Sequence, residues 1–445
     1  MMRNRTEQPQ TVTSVTGIQH KSILLFTLLL LLAVLRFTVI SQSVAVHNDE
    51  RHYAVDGFWV KATVPASVVF FDLLYSHMSP HPLYNPLTGE IGHHGTIARG
   101  FPSRKDDLGP YRRAGHPALY MLFLGAAYAA LPTDWLLHDD HYVHVARAVN
   151  ICFDSAMLFL LFAVLQRLSN NRAACILTTL IATLPYTFVN GALAFLDPSG
   201  TFWAVLCLWY YTIHADNDNC IRDWCIVGIF LGFSVLSKQA NIVVLPLLMS
   251  TIILFIRHLQ ARRLVISTVW IVSSMLITLF LFSNPVAFYK EFRRETVRIF
   301  RTNSEPDVIA VPLTDRLAQD YKNAADNFTL PFRPKKNYHF GMLRHKGHPY
   351  VKSSFLVRAY ELTTPMSAII FYLCCAILIA RRRYRTWPLI SCVLIVIAIN
   401  PMGSVLRRLY ILLPFATILI ALGMTEVHGL VAGMRKRLRL GSNRV

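Results

Sequence analysis

Charge is what this chain has least of. Asp, Glu, Lys and Arg make up 16% of its 445 residues, while 54% are hydrophobic. Soluble domains carry about 25% charged residues, so the composition excludes a water-soluble globular protein and points to a polytopic membrane protein. Acids are scarcer than bases, 25 against 44, which leaves a net charge of +19. The cations sit between apolar runs, so membrane surface and phosphate groups suit this balance and nucleic acid does not. The sequence also lacks a P-loop, a G-x-S-x-G elbow and a dinucleotide fingerprint. No period of twenty to fifty residues recurs, which excludes a solenoid. Of the eight cysteines, none falls in either long polar stretch, so no disulfide framework holds those stretches. Cys220 and Cys225 lack the second pair of ligands that a zinc site needs.

What is present is a series of apolar runs. Residues 1–21 are polar and basic and read as a cytoplasmic start, with no cleavable signal peptide evident. The first span is 23–40, and Arg36 near its far end reads as an arginine snorkelling to the interface. Residues 41–115 form a long polar outer loop whose amphipathic pieces, such as 58–74, suit the membrane surface. The run from His116 to Leu131 is short of the roughly 20 residues that cross a bilayer and reads as interfacial or re-entrant. Later spans fall at 143–165, 173–189, 198–213, 221–236, 242–256, 264–282, 365–380, 387–399 and 409–422, ten in all. The short connections 166–172, 257–263 and 381–385 and the tail with Arg435, Lys436, Arg437 and Arg439 are then all basic and cytoplasmic. Three regions result: a transmembrane module over 1–282 with its first outer loop 41–142, a long outer loop 283–364, and C-terminal helices over 365–445.

This topology gathers ionisable residues on the outer face: Asp49, Glu50, Arg112, Arg113, His116, Arg147, Asp197, Lys238, Arg407 and Arg408. The adjacent carboxylates of Asp49 and Glu50 repel, so one of them has a partner or a task, unless both are simply solvated at a loop start. Asp197 precedes Pro198 between two spans, where it is either a helix cap or a functional acid. Lys238 breaks two spans and is either an interfacial lysine or a phosphate ligand. Arg147 opens a span, either snorkelling or clamping a phosphate or carboxylate. Ten of the 17 His lie between His47 and His144, which leaves a divalent metal with Asp49 and Glu50 open. No HExxH spacing supports it. Asn327-Phe328-Thr329 is a glycosylation triplet, a pattern that chance often produces.

These residues resemble a family. Asp49-Glu50-Arg51-His52-Tyr53-Ala54 is similar to the Asp-Glu-x-x-Tyr-Ala start of the first outer loop in lipid A aminoarabinose transferases, which belong with protein O-mannosyltransferases in the GT-C superfamily. Gly115-His116-Pro117-Ala118-Leu119 resembles its His/Lys-Pro-Pro-Leu segment. Arg147 fits the Arg that opens the next span. Leu196-Asp197-Pro198 and the stretch from Gly232 through Ser237-Lys238 to Pro246 resemble two further motifs. A lysine that the aminoarabinose transferases carry is His116 here, the late Arg-Tyr of the mannosyltransferases reads Arg407-Arg408-Leu409-Tyr410, and a large soluble C-terminal domain is missing. The resemblance implies an all-α GT-C fold of about ten spans. It implies an inverting glycosyltransferase that moves a hexose or pentose from a polyprenyl-phosphate donor to a lipid, glycan or protein acceptor. Catalytic candidates are Asp49, Glu50 and Asp197. Donor-phosphate candidates are Lys238, Arg147, Arg112, Arg113, His116 and Arg408. The membrane is expected to be a bacterial inner membrane or, alternatively, the endoplasmic reticulum, with the site facing outside or the lumen. The alternative function is a lipid or ion transporter using the same basic groove, which would place more charge inside the membrane.

Overall fold

The structure is a computed structural model. It describes residues 15–43, 50, 53–54, 83–84, 91–92, 118–138, 141–169, 171–214, 221–255, 261–282, 322, 324–332, 344–345, 348–349, 354–398 and 410–442. Helices dominate: α1 (Val15–Ser43), α2 (Ala118–Ala129), α3 (Thr133–Leu137), α4 (His141–Leu168), α5 (Asn171–Thr183), α6 (Pro185–Asn190), α7 (Leu196–His214), α8 (Ile221–Ser237), α9 (Val244–Phe255), α10 (Ala261–Phe282), α11 (Ser354–Ala380), α12 (Trp387–Ala398) and α13 (Leu413–Ser442). Short 3₁₀ turns cover Gln239–Val243, Leu330–Phe332 and Tyr384–Thr386, and two-residue antiparallel ladders pair Leu83–Tyr84 with Ile91–Gly92 and Arg344–His345 with His348–Pro349.

Among the described residues, five helices are long and apolar enough to cross a membrane: Ile23–Gln42, His141–Leu168, Leu264–Leu281, Ser354–Ala380 and Tyr410–Met434. Three shorter apolar helices cover Arg172–Thr183, Asn241–Leu254 and Tyr384–Ala398. The fold is therefore the all-α, multi-helix membrane type that the sequence implies. The run after His116 is a 12-residue helix, α2, about 18 Å long, which is too short to span a hydrocarbon core of about 30 Å.

Some elements differ from the sequence reading, among them the last helix, which runs on to Ser442 through the residues read as a tail. The span expected from Pro365 begins at Ser354, with Pro365 inside α11. A proline removes one backbone donor and crowds the carbonyl four residues back, and here the hydroxyls of Thr363 and Thr364 bond back to the carbonyls of Ala359 and Tyr360 in the turn before it. The span expected over 173–189 is split at Leu184, because Pro185 cannot continue the ladder and instead starts α6.

The helix ends can be sorted. Gly228 on α8 packs on Ile271 and Ser274, and Gly232 on Met275 and Thr278, so α8 and α10 run parallel. Gly423 on α13 packs on Cys374 of α11, and Tyr186 touches both Tyr360 and Tyr410, so α11 and α13 also run parallel. The C-ends of α1, α6, α8 and α10 thus share one end of the bundle with the N-ends of α4, α7, α11 and α13. Exposed Arg167, Arg172 and Arg381 to Arg385 lie at the opposite end, where Arg383 pairs with Glu426 at 2.5 Å.

Candidate active site

The first described cluster is built around Glu50. Glu50, Tyr53 and Ala54 are spaced i, i+3 and i+4 in a helical turn, which puts them on one face. Ala54 is buried with Tyr120, Leu124 and Tyr128 of α2 and Tyr142, Val143 and Ala146 of α4. Tyr53 meets the edge of Phe195 at 6.2 Å. Glu50 faces α4, where Arg147 Nε donates to its Oε1 at 2.8 Å and Nη2 to its Oε2 at 2.7 Å. Both side chains are fully buried. Oε1 also accepts from the backbone N–H of Ala194 at 2.9 Å, and Arg147 Nη1 donates to the Ile40 carbonyl at 3.3 Å. Arg147 is therefore a carboxylate clamp rather than a snorkelling arginine. A bidentate guanidinium is the side chain suited to it, because its planar fork matches both carboxylate oxygens. Burial, with the Glu50 carboxylate close by, holds the Tyr120 phenol on α2 well above its ordinary pKa.

The second cluster joins Asp197 and Lys238. Asp197 lies in the first turn of α7, where the helix dipole favours an anion. Its carboxylate Oδ1 is ion-paired with Lys238 Nζ. Lys238 follows α8 in an extended conformation and leads into the 3₁₀ turn Gln239–Val243. That break is seated on α7: Ser234 Oγ donates to the Gly200 carbonyl at 2.7 Å and Asn241 Nδ2 to the Ser234 carbonyl at 3.1 Å. A Cβ at Gly200 would overlap the Asn241 amide, so glycine is what allows this approach. The Lys238 side chain is 22% exposed and that of Asp197 8%, so this pair is partly open to its surroundings where the Glu50–Arg147 pair is closed.

A third cluster was not legible as a site from the sequence. Arg36 does not snorkel. It is buried, with Nη1 2.6 Å from Asp154 Oδ2, Nε 3.0 Å from the Phe188 carbonyl and Nη2 2.5 Å from the Thr187 carbonyl. Tyr410 donates to the other Asp154 oxygen. Gly191 lies against both partners, and a Cβ there would overlap them. Opposite charges in two separate spans were the available signal, because a charge at that depth is rarely left without a partner. Intramembrane charge is thus less scarce than the sequence reading holds.

Asp49, Arg112, Arg113, His116, Arg407 and Arg408 lie outside the described residues. Among the described residues no group of three or more His, Cys, Asp or Glu is placed to hold a metal. Asn327 is buried and donates to the Ala398 carbonyl at 3.0 Å, so its amide is engaged in packing and the glycosylation triplet is accounted for without a glycan.

Residues 137–288 match the dolichyl-phosphate-mannose-protein mannosyltransferase family. That segment holds Arg147, Asp197 and Lys238, and with it the GT-C resemblance read from the sequence stands. No curated protein matches the chain. Two solved structures are similar at low identity. The oligosaccharyltransferase AglB of Archaeoglobus fulgidus, solved with an inhibitory peptide and a dolichol-phosphate, is 12% identical with a TM-score of 0.47, over 96% of this chain and 52% of AglB. ArnT of Cupriavidus metallidurans, solved with undecaprenyl phosphate, is 14% identical with a TM-score of 0.37, over 93% of this chain and 78% of ArnT. The chain spans about half the length of AglB.

Proposed function

We propose that this chain is an inverting glycosyltransferase that takes a sugar from a polyprenyl-phosphate donor and passes it to a hydroxyl acceptor at the bundle end where Glu50 and Lys238 lie. One observation carries the reading. Two acid–cation pairs, drawn from separate parts of the chain, share that end, and one is closed while the other is open. The closed pair, Glu50–Arg147, fixes the chain immediately after Asp49. The open pair offers a lysine ammonium, a compact phosphate partner, beside an acid.

The reaction follows from these roles. The acceptor oxygen attacks the anomeric carbon on the face opposite the phosphate, and its proton passes to the Asp49 carboxylate. The bond from the anomeric carbon to the phosphate oxygen breaks, and its electron pair leaves with the lipid phosphate. A hydroxyl is a weak nucleophile at neutral pH, so a positioned carboxylate base is what the step needs. The phosphate gains charge as the sugar leaves, and a fixed cation in a site of low dielectric favours that state. Lys238 supplies it, with Arg112, Arg113, His116 and Arg408 as further cations for the phosphate. Asp197 holds Lys238 and orients the acceptor. The basic connections at the opposite end support a site that faces outside or the lumen, by the positive-inside rule.

Incubating the purified protein with a panel of polyprenyl-phosphate sugars and acceptors, and measuring release of the lipid phosphate, tests the reading. Release that depends on Asp49 supports it, and no release from any donor removes it. The buried Arg36–Asp154 pair is the observation that favours transport instead, because transporters keep ionisable groups at membrane depth. Flux of the lipid or of ions in proteoliposomes, without phosphate release, would choose that reading.

A further inference from the structure

Three polar side chains line one face of α4 at i, i+3 and i+7: Arg147, Asn150 and Asp154, all fully buried. The outer two hold ion pairs. The middle one holds backbone. Asn150 Nδ2 donates to the Leu193 carbonyl at 2.5 Å and to the Phe195 carbonyl at 2.8 Å. Those carbonyls flank Ala194, whose N–H is on Glu50. The connection from α6 to α7 is tight here, with Phe195 N–H donating to the Leu193 carbonyl at 2.7 Å across a three-residue turn. The helix that leads into it, α6, is held through Arg36, which takes the Thr187 and Phe188 carbonyls and is itself fixed by Asp154. Its near end runs directly into Leu196 and Asp197. The same short segment therefore carries a ligand of Glu50 and the acid that holds Lys238.

We propose that Asn150 is a positioning residue: by gripping the carbonyls on either side of Ala194, it sets the spacing between the Glu50–Arg147 pair and the Asp197–Lys238 pair. It touches neither donor nor acceptor, and it acts through the 191–197 segment. The inference rests on the glycosyltransferase reading for its kinetic consequence but not for its structural one. A reacting geometry displaced by about 1 Å costs about 10²-fold in rate, so the effect falls on kcat. Donor binding, which rests on the open lysine and the other cations, is left nearly unchanged.

The test has two arms. Hydrogen exchange of the backbone over 191–197 is measured in the purified wild-type protein and in Asn150→Ala. Faster exchange confined to that segment is expected, and unchanged exchange overturns the brace whatever the enzyme assay shows. In the transfer assay, Asn150→Ala is expected to lower kcat about 10- to 100-fold with the donor KM within twofold. A normal kcat, or a KM that rises in step with the loss, overturns the positioning role. Asn150→Asp adds a readout that a merely structural residue would not give. Ionised, it cannot donate to either carbonyl. Protonated, which burial favours, it donates to one. Its activity should therefore recover in part as the pH falls, while the wild type shows no such gain, and a pH profile parallel to the wild type's counts against the proposal. Asn150→Ser, whose hydroxyl can serve one carbonyl, carries both arms if the alanine variant does not fold. A wild-type protein without transfer activity would sink the function proposed above and leave the exchange arm to decide the brace.

Discussion

Glu50→Gln is the sharpest single perturbation of the site. The substitution keeps the shape of the side chain and an oxygen able to accept from Ala194, but removes its charge. Arg147 is then a guanidinium with 0% exposure and no counter-charge from Glu50. Removing one partner of a buried pair costs about 3–5 kcal/mol, a large part of a total stability of about 5–15 kcal/mol. Arg147→Met leaves the opposite orphan, a carboxylate with 0% exposure, and should cost a similar amount at neutral pH. The double variant has neither charge, and a neutral, well-packed replacement of a buried pair is often tolerated. It should therefore be more stable than either single variant, with a coupling of about 2–3 kcal/mol or more. Denaturation of the four purified proteins, the wild type and the three variants, followed by tryptophan fluorescence, completes the cycle. Transfer should remain lost in the double variant, because the anchor that fixes the chain after Asp49 is gone. Additive effects, with each single variant within about 1 kcal/mol of wild type as for an exposed pair, would refute the buried clamp.

Three further outcomes are expected. Asp49→Asn should fold normally and lose about 10²–10⁴-fold in turnover, since an amide cannot accept the acceptor's proton; near-normal turnover in the phosphate-release assay would remove Asp49 as the base. Lys238→Ala should weaken donor binding and slow the chemical step together, and Lys238→Arg should recover part of each, as steady-state kinetics with a varied donor would show. A reporter placed in the 381–385 connection or after Val445 should be active on the cytoplasmic side, and activity on the outer side alone would invert the topology.

The helices were legible in the sequence because apolar runs of this length have few other fates, and the five long spans fall where those runs lie. The ends were less legible. Pro365 reads as a helix start from local rules, yet α11 runs through it, because packing of a long helix outweighs one missing donor. At the site, Asp-Glu-x-x-Tyr-Ala was visible as a motif, but not that Glu50 faces inward to Arg147, since no local rule pairs residues so far apart in the chain. Arg36 was misread for the same reason. Taken alone, an arginine near a helix end snorkels; with Asp154 in another span, it is buried. A signal was available and missed: Arg147, Asn150 and Asp154 recur on one face of an apolar span, and lipid does not tolerate such a face unless other parts of the protein cover it.

The pairing of these cations alters how the donor phosphate would be held. Arg112, Arg113, Arg147 and Lys238 share the outer face in the sequence reading, and like charges gather at a partly buried site only if an anion is shared among them. For the two that the structure describes, the protein supplies the anion itself, Glu50 for Arg147 and Asp197 for Lys238. Arg147 is thereby withdrawn from the phosphate, since its fork is spent on a carboxylate that has no exposure. Lys238 is not. An ammonium has three donors, and its partial exposure is what would let a phosphate oxygen reach it. Asp197 would then keep Lys238 aimed while the site is empty of donor, and would lower its net attraction for a phosphate that binds. The gain in the reaction is differential: as the sugar leaves, the phosphate's charge rises and the carboxylate's does not, so Lys238 favours the later state over the bound donor. On this account Asp197→Asn should tighten binding of the free lipid phosphate while slowing transfer. If both fall together, Asp197 works on the acceptor instead.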